Sequence, residues 1–298
     1  MGIARGAIRV LMTEANRRPF EGSIITLGRQ DVFVTYEQLL RLADIAGFAA
    51  PRVIEPEITT AANWAEKGCI SDSCLLRYLG FGDVQSMDVS DYEHATQIFD
   101  LNNPDLPEEL VGAFDVVLDG GTLEHVFHVP NVLRSIVRML KPGGRVIHMA
   151  PSSNHMDHGF YMFSPTLFAD YYAANGFSIE TLQVLRYTEP IVTSPWILSD
   201  YPIGNPFALG MGQLDNAMYS VICIATKGPD STGDNIPQQS FYQMSPPGPP
   251  PAVAPATVGQ AIKAVLKKIP LAVALNRYLW QLRRRYRKGL GLRVVARY

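Results

Sequence analysis

The sequence predicts an α/β protein built on a doubly wound, mostly parallel, seven-stranded sheet. Three observations carry that expectation. Short apolar runs of strand length alternate with segments of helical periodicity. An aspartate stands at or near the end of three successive runs, Asp88, Asp100 and Asp119. At 298 residues, 47% of them hydrophobic and 18% charged, the chain is long and apolar enough for one large α/β domain with an appendage.

Taken in order, Ser23 to Leu27 (SIITL) is the first strand and stops at Gly28. Leu39, Leu40, Ala43 and Ala46 then give the segment from Thr35 a helical face. Residues 48–82 carry Pro51, Pro56, Gly68, Gly80 and Gly82 and read as an irregular or helical insertion. Val84–Val89, Gln97–Leu101 and Phe114–Asp119 follow as strands, and Val129–Leu140 as a helix. Lys141-Pro-Gly-Gly144 ends that helix, because proline cannot continue it and the glycines permit a tight reversal into a strand at Arg145–Ala150. Ser164-Pro165 opens a helix that passes through Phe168, Tyr171 and Tyr172 and closes at Gly176. Strands at Ser178–Arg186 and Met218–Thr226 complete a domain spanning residues 1–228. Between them, Tyr201–Gly212 has the glycine and proline content of a lid.

Beyond the domain, residues 229–257 read as a linker, in which Ser245–Pro255 favours extended polyproline II. Residues 258–298 read as a basic amphipathic helical tail. The last 40 residues hold 11 of the 26 Lys and Arg and no acid, which leaves residues 1–258 at −13. Ile262, Val265, Leu266 and Ile269 face away from Lys263, Lys267 and Lys268, and a second repeat runs from Leu271 to Tyr286. Two readings stay open. Residues 259–298 adsorb to an anionic membrane surface, or they dock on the acidic domain or on a second copy in a homo-oligomer. No sequence-specific nucleic-acid partner is expected. No run of 18 uncharged apolar residues offers a membrane span, and the N-terminal segment lacks a leader's apolar core. The expected location is therefore cytoplasmic, at most peripheral on the inner membrane face. Cys69, Cys74 and Cys223 are too few for a disulfide framework or a four-thiolate zinc site.

Open α/β sheets bind ligands at the carboxyl ends of their strands, near the switch in strand order. The strand-end aspartates are thus candidates to meet ribose hydroxyls, an adenine amine or an ammonium group. The alternative is that Asp88 and Asp100 cap turns. Phe114-Asp-Val-Val-Leu-Asp-Gly-Gly-Thr-Leu-Glu-His125, a helix, and then Leu140-Lys-Pro-Gly-Gly-Arg-Val-Ile-His-Met-Ala-Pro151 resemble the fourth strand, following helix and fifth strand of class I S-adenosylmethionine-dependent methyltransferases. The likeness covers Gly82 to about Phe177. It implies a Rossmann-like methyltransferase fold with S-adenosylmethionine as cofactor. Asp88 would bind the ribose, Asp100 with Leu101 and Asn102 the adenine, and Asp119 with Gly120 would lie near the methionyl part. The first motif departs from the family. Thr26-Leu-Gly-Arg-Gln-Asp31 keeps one glycine, Gly28, where the family has a G-x-G-x-G loop, and Arg29 stands ready to pair with the cofactor carboxylate. The resemblance to surface-polysaccharide enzymes implies O-methylation of a sugar or glycan precursor. Two alternatives remain: a degenerate methyltransferase fold used for binding or scaffolding, and, more weakly, a nicotinamide-dependent oxidoreductase, against which no G-x-G-x-x-G follows the first strand.

Five of six histidines, His125, His128, His148, His155 and His158, fall within 34 residues, after or inside the fourth and fifth strands. Imidazole titrates near neutrality and suits removal of a proton from a methyl acceptor. His158 is the first candidate for that base, His155 the second and His125 the third, with His128 and Tyr161 placed to bind substrate. No metal is assigned, although His155, Asp157 and His158 offer an alternative ligand set. Phe160, Tyr161 and Phe163 either wall an acceptor pocket or pack the following helix.

Overall fold

The computed structural model describes residues 2–203, 214–243 and 292–298. Helix α1 (Arg5–Arg17) precedes β1 (Ser23–Leu27), and helices α2 (Tyr36–Ala46), α3 (Ala62–Ala65) and α4 (Asp72–Leu79) lead to β2 (Asp83–Asp88) and β3 (Gln97–Ile98). Strand β4 (Phe114–Asp119) is followed by α5 (Val129–Met139), β5 (Leu140–Pro151), α6 (Pro165–Ala174) and β6 (Phe177–Tyr187). Then come β7 (Ile197–Asp200), β8 (Met218–Lys227), α7 (Ser240–Gln243) and β9 (Val294–Arg297).

These strands form one sheet in the order β3-β2-β1-β4-β5-β8-β6-β7-β9. The first five are parallel, and β8, β6, β7 and β9 add antiparallel. The sheet therefore has nine strands, not seven. Strands β7 and β9 are too short, and too far apart in sequence, to show as a pair before the chain is folded.

Side chains alternate faces along each strand, and both faces are covered. Ile24, Val116, Leu118 and Ile147 pack under α1, α2 and α4. Ile25, Leu27, Val117 and Val146 pack under α5 and α6. The insertion at 48–82 is thus partly core, because α4 buries Leu75, Leu76 and Leu79. Helix α1 went unread in the sequence, although Ile8, Leu11, Met12 and Ala15 form a buried stripe. Its buried Glu14 receives Arg145 of β5 at 2.8 Å, so the pair ties helix to sheet.

Sharp local signals fix the element ends. Thr35 and Gln38 form a capping box on α2, and Gly47 ends that helix with left-handed φ. Ser71 caps α4, and Ser164 caps α6. Helix α5 ends at Met139, and the Lys-Pro-Gly-Gly run, expected as a turn before the strand, lies inside β5, which already pairs with β4 at Leu140.

The domain runs past residue 228. Asn175 exchanges hydrogen bonds with Asn235 and accepts from Thr232, and the Ser240 backbone donates to Asp170, so the first part of the expected linker lies on α6. The end of the expected helical tail is also extended, since β9 pairs with β7. The proline-rich run, both basic repeats and most of the lid at 201–212 lie outside the described residues. No described helix is long and apolar enough to cross a membrane.

Candidate active site

Strand β1 lies between β2 and β4, and the strand order reverses there, so the carboxyl ends of these strands open a cleft of about 400 Å³. Gly28 forms its floor with φ +71, and its N–H donates to the Met87 carbonyl. A Cβ at Gly28 would lie 3.0 Å from Thr122 Oγ1 and 3.9 Å from Asp88 Oδ2, so glycine keeps the space between these groups open.

The missing glycines are replaced by bracing side chains. Gln30 Nε2 donates to the Leu27 carbonyl, and Thr122 Oγ1 donates to the same oxygen. Asp72 at the start of α4 accepts from the Gln30 backbone through Oδ2 and pairs with Arg29 through Oδ1 at 2.8 Å. Arg29 lines the cleft, yet its charge is already answered by Asp72.

The carried-over positions behave differently from one another. Asp88 lines the cleft, with Oδ1 accepting the Val89 N–H. Asp100 also lines it, and its Oδ1 holds the Asn102 backbone and amide, a turn-capping role on the cleft wall. Leu101 is buried beside it, and Asn102 accepts from the His128 backbone through Oδ1 and from Asn131 through its carbonyl. Asp119 does not reach the cleft. It is fully buried and accepts from the Thr122 and Leu123 backbones and from His148 at 2.7 Å. His148 in turn meets the Tyr172 hydroxyl at 2.7 Å. Burial alone would raise Asp119, but the bond to His148 and the two N–H donors hold its pKa below the ordinary value. Gly120 is buried too, packed so closely on Gln30 that a Cβ would overlap Oε1.

Beside the cleft, the loops after β4 and β5 meet. The Glu124 carbonyl accepts from Phe160, and a Cβ on Gly159 would lie 2.9 Å from that carbonyl oxygen. His125, His155 and His158 come together, with ring centres 5.1 Å apart for His125 and His158 and 5.8 Å for His155 and His158. His128 is not among them and packs edge-on against Phe127. His155 is buried, and its Nε2 lies 3.2 Å from the Tyr187 hydroxyl. Tyr161 donates to the Phe127 carbonyl and stacks on buried Phe163, while Phe127 and Phe160 stand exposed, edge to face.

At the centre of this cluster is Glu124, which entered the sequence reading only as part of the Phe114–His125 stretch. Its side chain is fully buried, and neither carboxylate oxygen has a hydrogen-bond partner. Burial, with Asp119 nearby, pushes it up to about 8. Burial likewise lowers His125, His155 and His158, and for His125 and His155 the neighbouring His158 adds to the effect. Gln30, Asp72 and Thr122 were also missed, since only the folded loops show what they brace.

Residues 41–186 match a family model described as a methyltransferase domain. Over those residues, 146 of 298, the chain carries a methyltransferase domain. The match begins after β1, so the atypical loop at Gly28 lies outside it. Among solved structures, the enzyme is similar to a SAM-dependent methyltransferase from Thermotoga maritima, at 16% identity over 75% of this chain and 90% of that one, with a TM-score of 0.33. It is also similar to 1,6-didemethyltoxoflavin-N1-methyltransferase from Burkholderia thailandensis with bound 1,6-didemethyltoxoflavin and S-adenosylhomocysteine, at 14% identity over 76% of this chain and 78% of that one, with a TM-score of 0.36. No curated protein matches the chain. The cleft has what a small-molecule cofactor needs. A glycine floor permits close approach, acids line the wall, and the volume falls within the range of small-molecule sites.

Proposed function

We propose that the enzyme methylates a hydroxyl of a small polar acceptor, a sugar or glycan precursor, placed against Glu124, His125 and His158. The observation that carries this reading is the position of that cluster beside the cofactor cleft, which His125 itself lines. S-adenosylmethionine, when bound, supplies an electrophilic methyl group. In this reading Asp88 holds the ribose, and Asp100, Leu101 and Asn102 frame the adenine. The acceptor's heteroatom must give up its proton as it is methylated, and the cluster is where that proton is withdrawn. Exposed Phe127 and Phe160 next to it offer apolar faces on which a sugar or other ring packs, a role that Tyr161, tied to the Phe127 backbone, fills less directly.

The test is formation of S-adenosylhomocysteine against a panel of sugars, nucleotide sugars and small amines. Turnover is expected with a hydroxylated acceptor, and His158→Ala should lower it by about 10²–10⁴-fold while cofactor affinity, measured by calorimetry, is kept. Turnover confined to amines would overturn the acceptor class. Near-normal turnover in His158→Ala would remove that side chain from the chemistry.

A further inference from the structure

We propose that Glu124, His125 and His158 form a binding site for one divalent first-row transition ion, of the zinc or manganese kind. One ligand atom from each residue lies within 4.8 Å of the others. His158 Nε2 is 3.4 Å and His125 Nε2 is 3.9 Å from the same atom, Glu124 Oε1. Two ligands each about 2.1 Å from an ion, at a tetrahedral angle, stand about 3.4 Å apart, so the two separations from Glu124 Oε1 lie near those of a loaded site, and an ion would draw the imidazoles, within 4.8 Å of each other, closer together. Neither contact is a hydrogen bond, which leaves the Glu124 carboxyl without a hydrogen bond from any other residue. A fully buried carboxyl in that position is rare without a partner, and an ion held with two imidazoles supplies one.

The donor set narrows the ion. One carboxylate with two imidazoles suits divalent ions such as zinc, manganese or iron, whereas calcium asks for six to eight oxygens. The alternative set read from the sequence does not assemble. His155 is engaged by Tyr187 and by the Tyr219 backbone, and Asp157 is exposed on a left-handed turn outside the group. Three protein ligands leave coordination positions open, and His125 borders the cofactor cleft. The ion's role rests on the reading above: an open position there would receive the acceptor's oxygen and make its proton easier to lose.

The full chain, freed of metal with a chelator, is titrated with zinc chloride alone by calorimetry and with cobalt(II) by visible absorption. One saturable site is expected. Glu124→Gln and His158→Ala should each weaken it by more than the roughly 10–100-fold that loss of outer-shell partners costs, and Asp157→Asn should leave it unchanged. Thermal melting checks that each variant is folded, and His125→Ala replaces any that is not. Absence of saturable binding, or binding that survives both Glu124→Gln and His158→Ala, overturns the site. Loss of binding in Asp157→Asn alone would also overturn it. Cofactor binding and turnover without metal binding would remove the ion and leave the methyl-transfer reading standing. Metal binding without cofactor binding would do the reverse.

Discussion

Asp88 and Asp119 are the same residue type at the ends of two strands that flank β1, and folding gives them opposite duties. Asp88 faces the cleft with Oδ1 on its own loop, and Oδ2 beside Gly28. Asp88→Ala should weaken S-adenosylmethionine binding by about 1.5–3 kcal/mol, the range for a hydrogen bond to a charged group. Calorimetry showing unchanged affinity in a folded variant would take Asp88 out of the site. Asp119 instead holds two backbone N–H groups and His148 in the core. Because its folded pKa lies below the unfolded value, its stabilisation is present above the ordinary carboxylate range, about pH 4, and is lost as pH falls through the folded pKa. Denaturant melts of the wild type should therefore weaken as pH drops from about 5 towards 2, and Asp119→Asn should flatten that decline. An equal decline in both would assign the acid loss to other carboxylates. Spacing placed both aspartates at strand ends, but which one meets solvent depends on His148 and Tyr172, and no local pattern carries that information.

The elements divide in the same way between what local chemistry states and what packing decides. Strands β1 and β4 were legible to the residue, because a run buried on both faces reads as continuous apolar sequence and ends at a glycine or an acid. Strands β7 and β9 were not, since four residues each carry little pattern and their pairing is settled by distant neighbours. The histidine loops show the limit most clearly. The sequence put imidazoles after β4 and β5, but the contact that joins them is backbone, Phe160 N–H to the Glu124 carbonyl, with Gly159 providing the room. Gly159→Ala sets a methyl 2.9 Å from that oxygen and 3.0 Å from Glu124 Cγ, so the two loops must part. The expected result is a loss of about 1–3 kcal/mol in stability, as for other overpacked sites, with turnover reduced and cofactor affinity retained, because the cleft floor belongs to β1 and β2. Wild-type turnover in this variant would show that the loops need not touch.

Across the whole molecule, the end of the basic C-terminal segment joins the sheet of the acidic domain. Strand β9 lies on the outer side of β7, so the last residues of the segment finish the sheet that begins at β3. Tyr298 exchanges backbone hydrogen bonds with Trp196, its hydroxyl meets Thr13, and Arg9 lies 4.3 Å over its ring, which fastens the chain end to α1. An unpaired β7 would present free N–H and C=O groups, the feature that invites strand addition and aggregation. Truncation at Pro255 should accordingly lower the melting temperature and promote association seen by size-exclusion chromatography, even though the cofactor cleft, built from β1, β2 and β4, is untouched. The same truncation should abolish sedimentation with anionic vesicles if the basic repeats adsorb to them. A second variant that ends at Pro255 but carries residues 292–298 on a short flexible linker separates the two effects. It should recover the melting temperature without recovering vesicle binding. A truncated chain that melts with the full chain's midpoint and stays monodisperse would show that β9 only covers an edge already stable by itself.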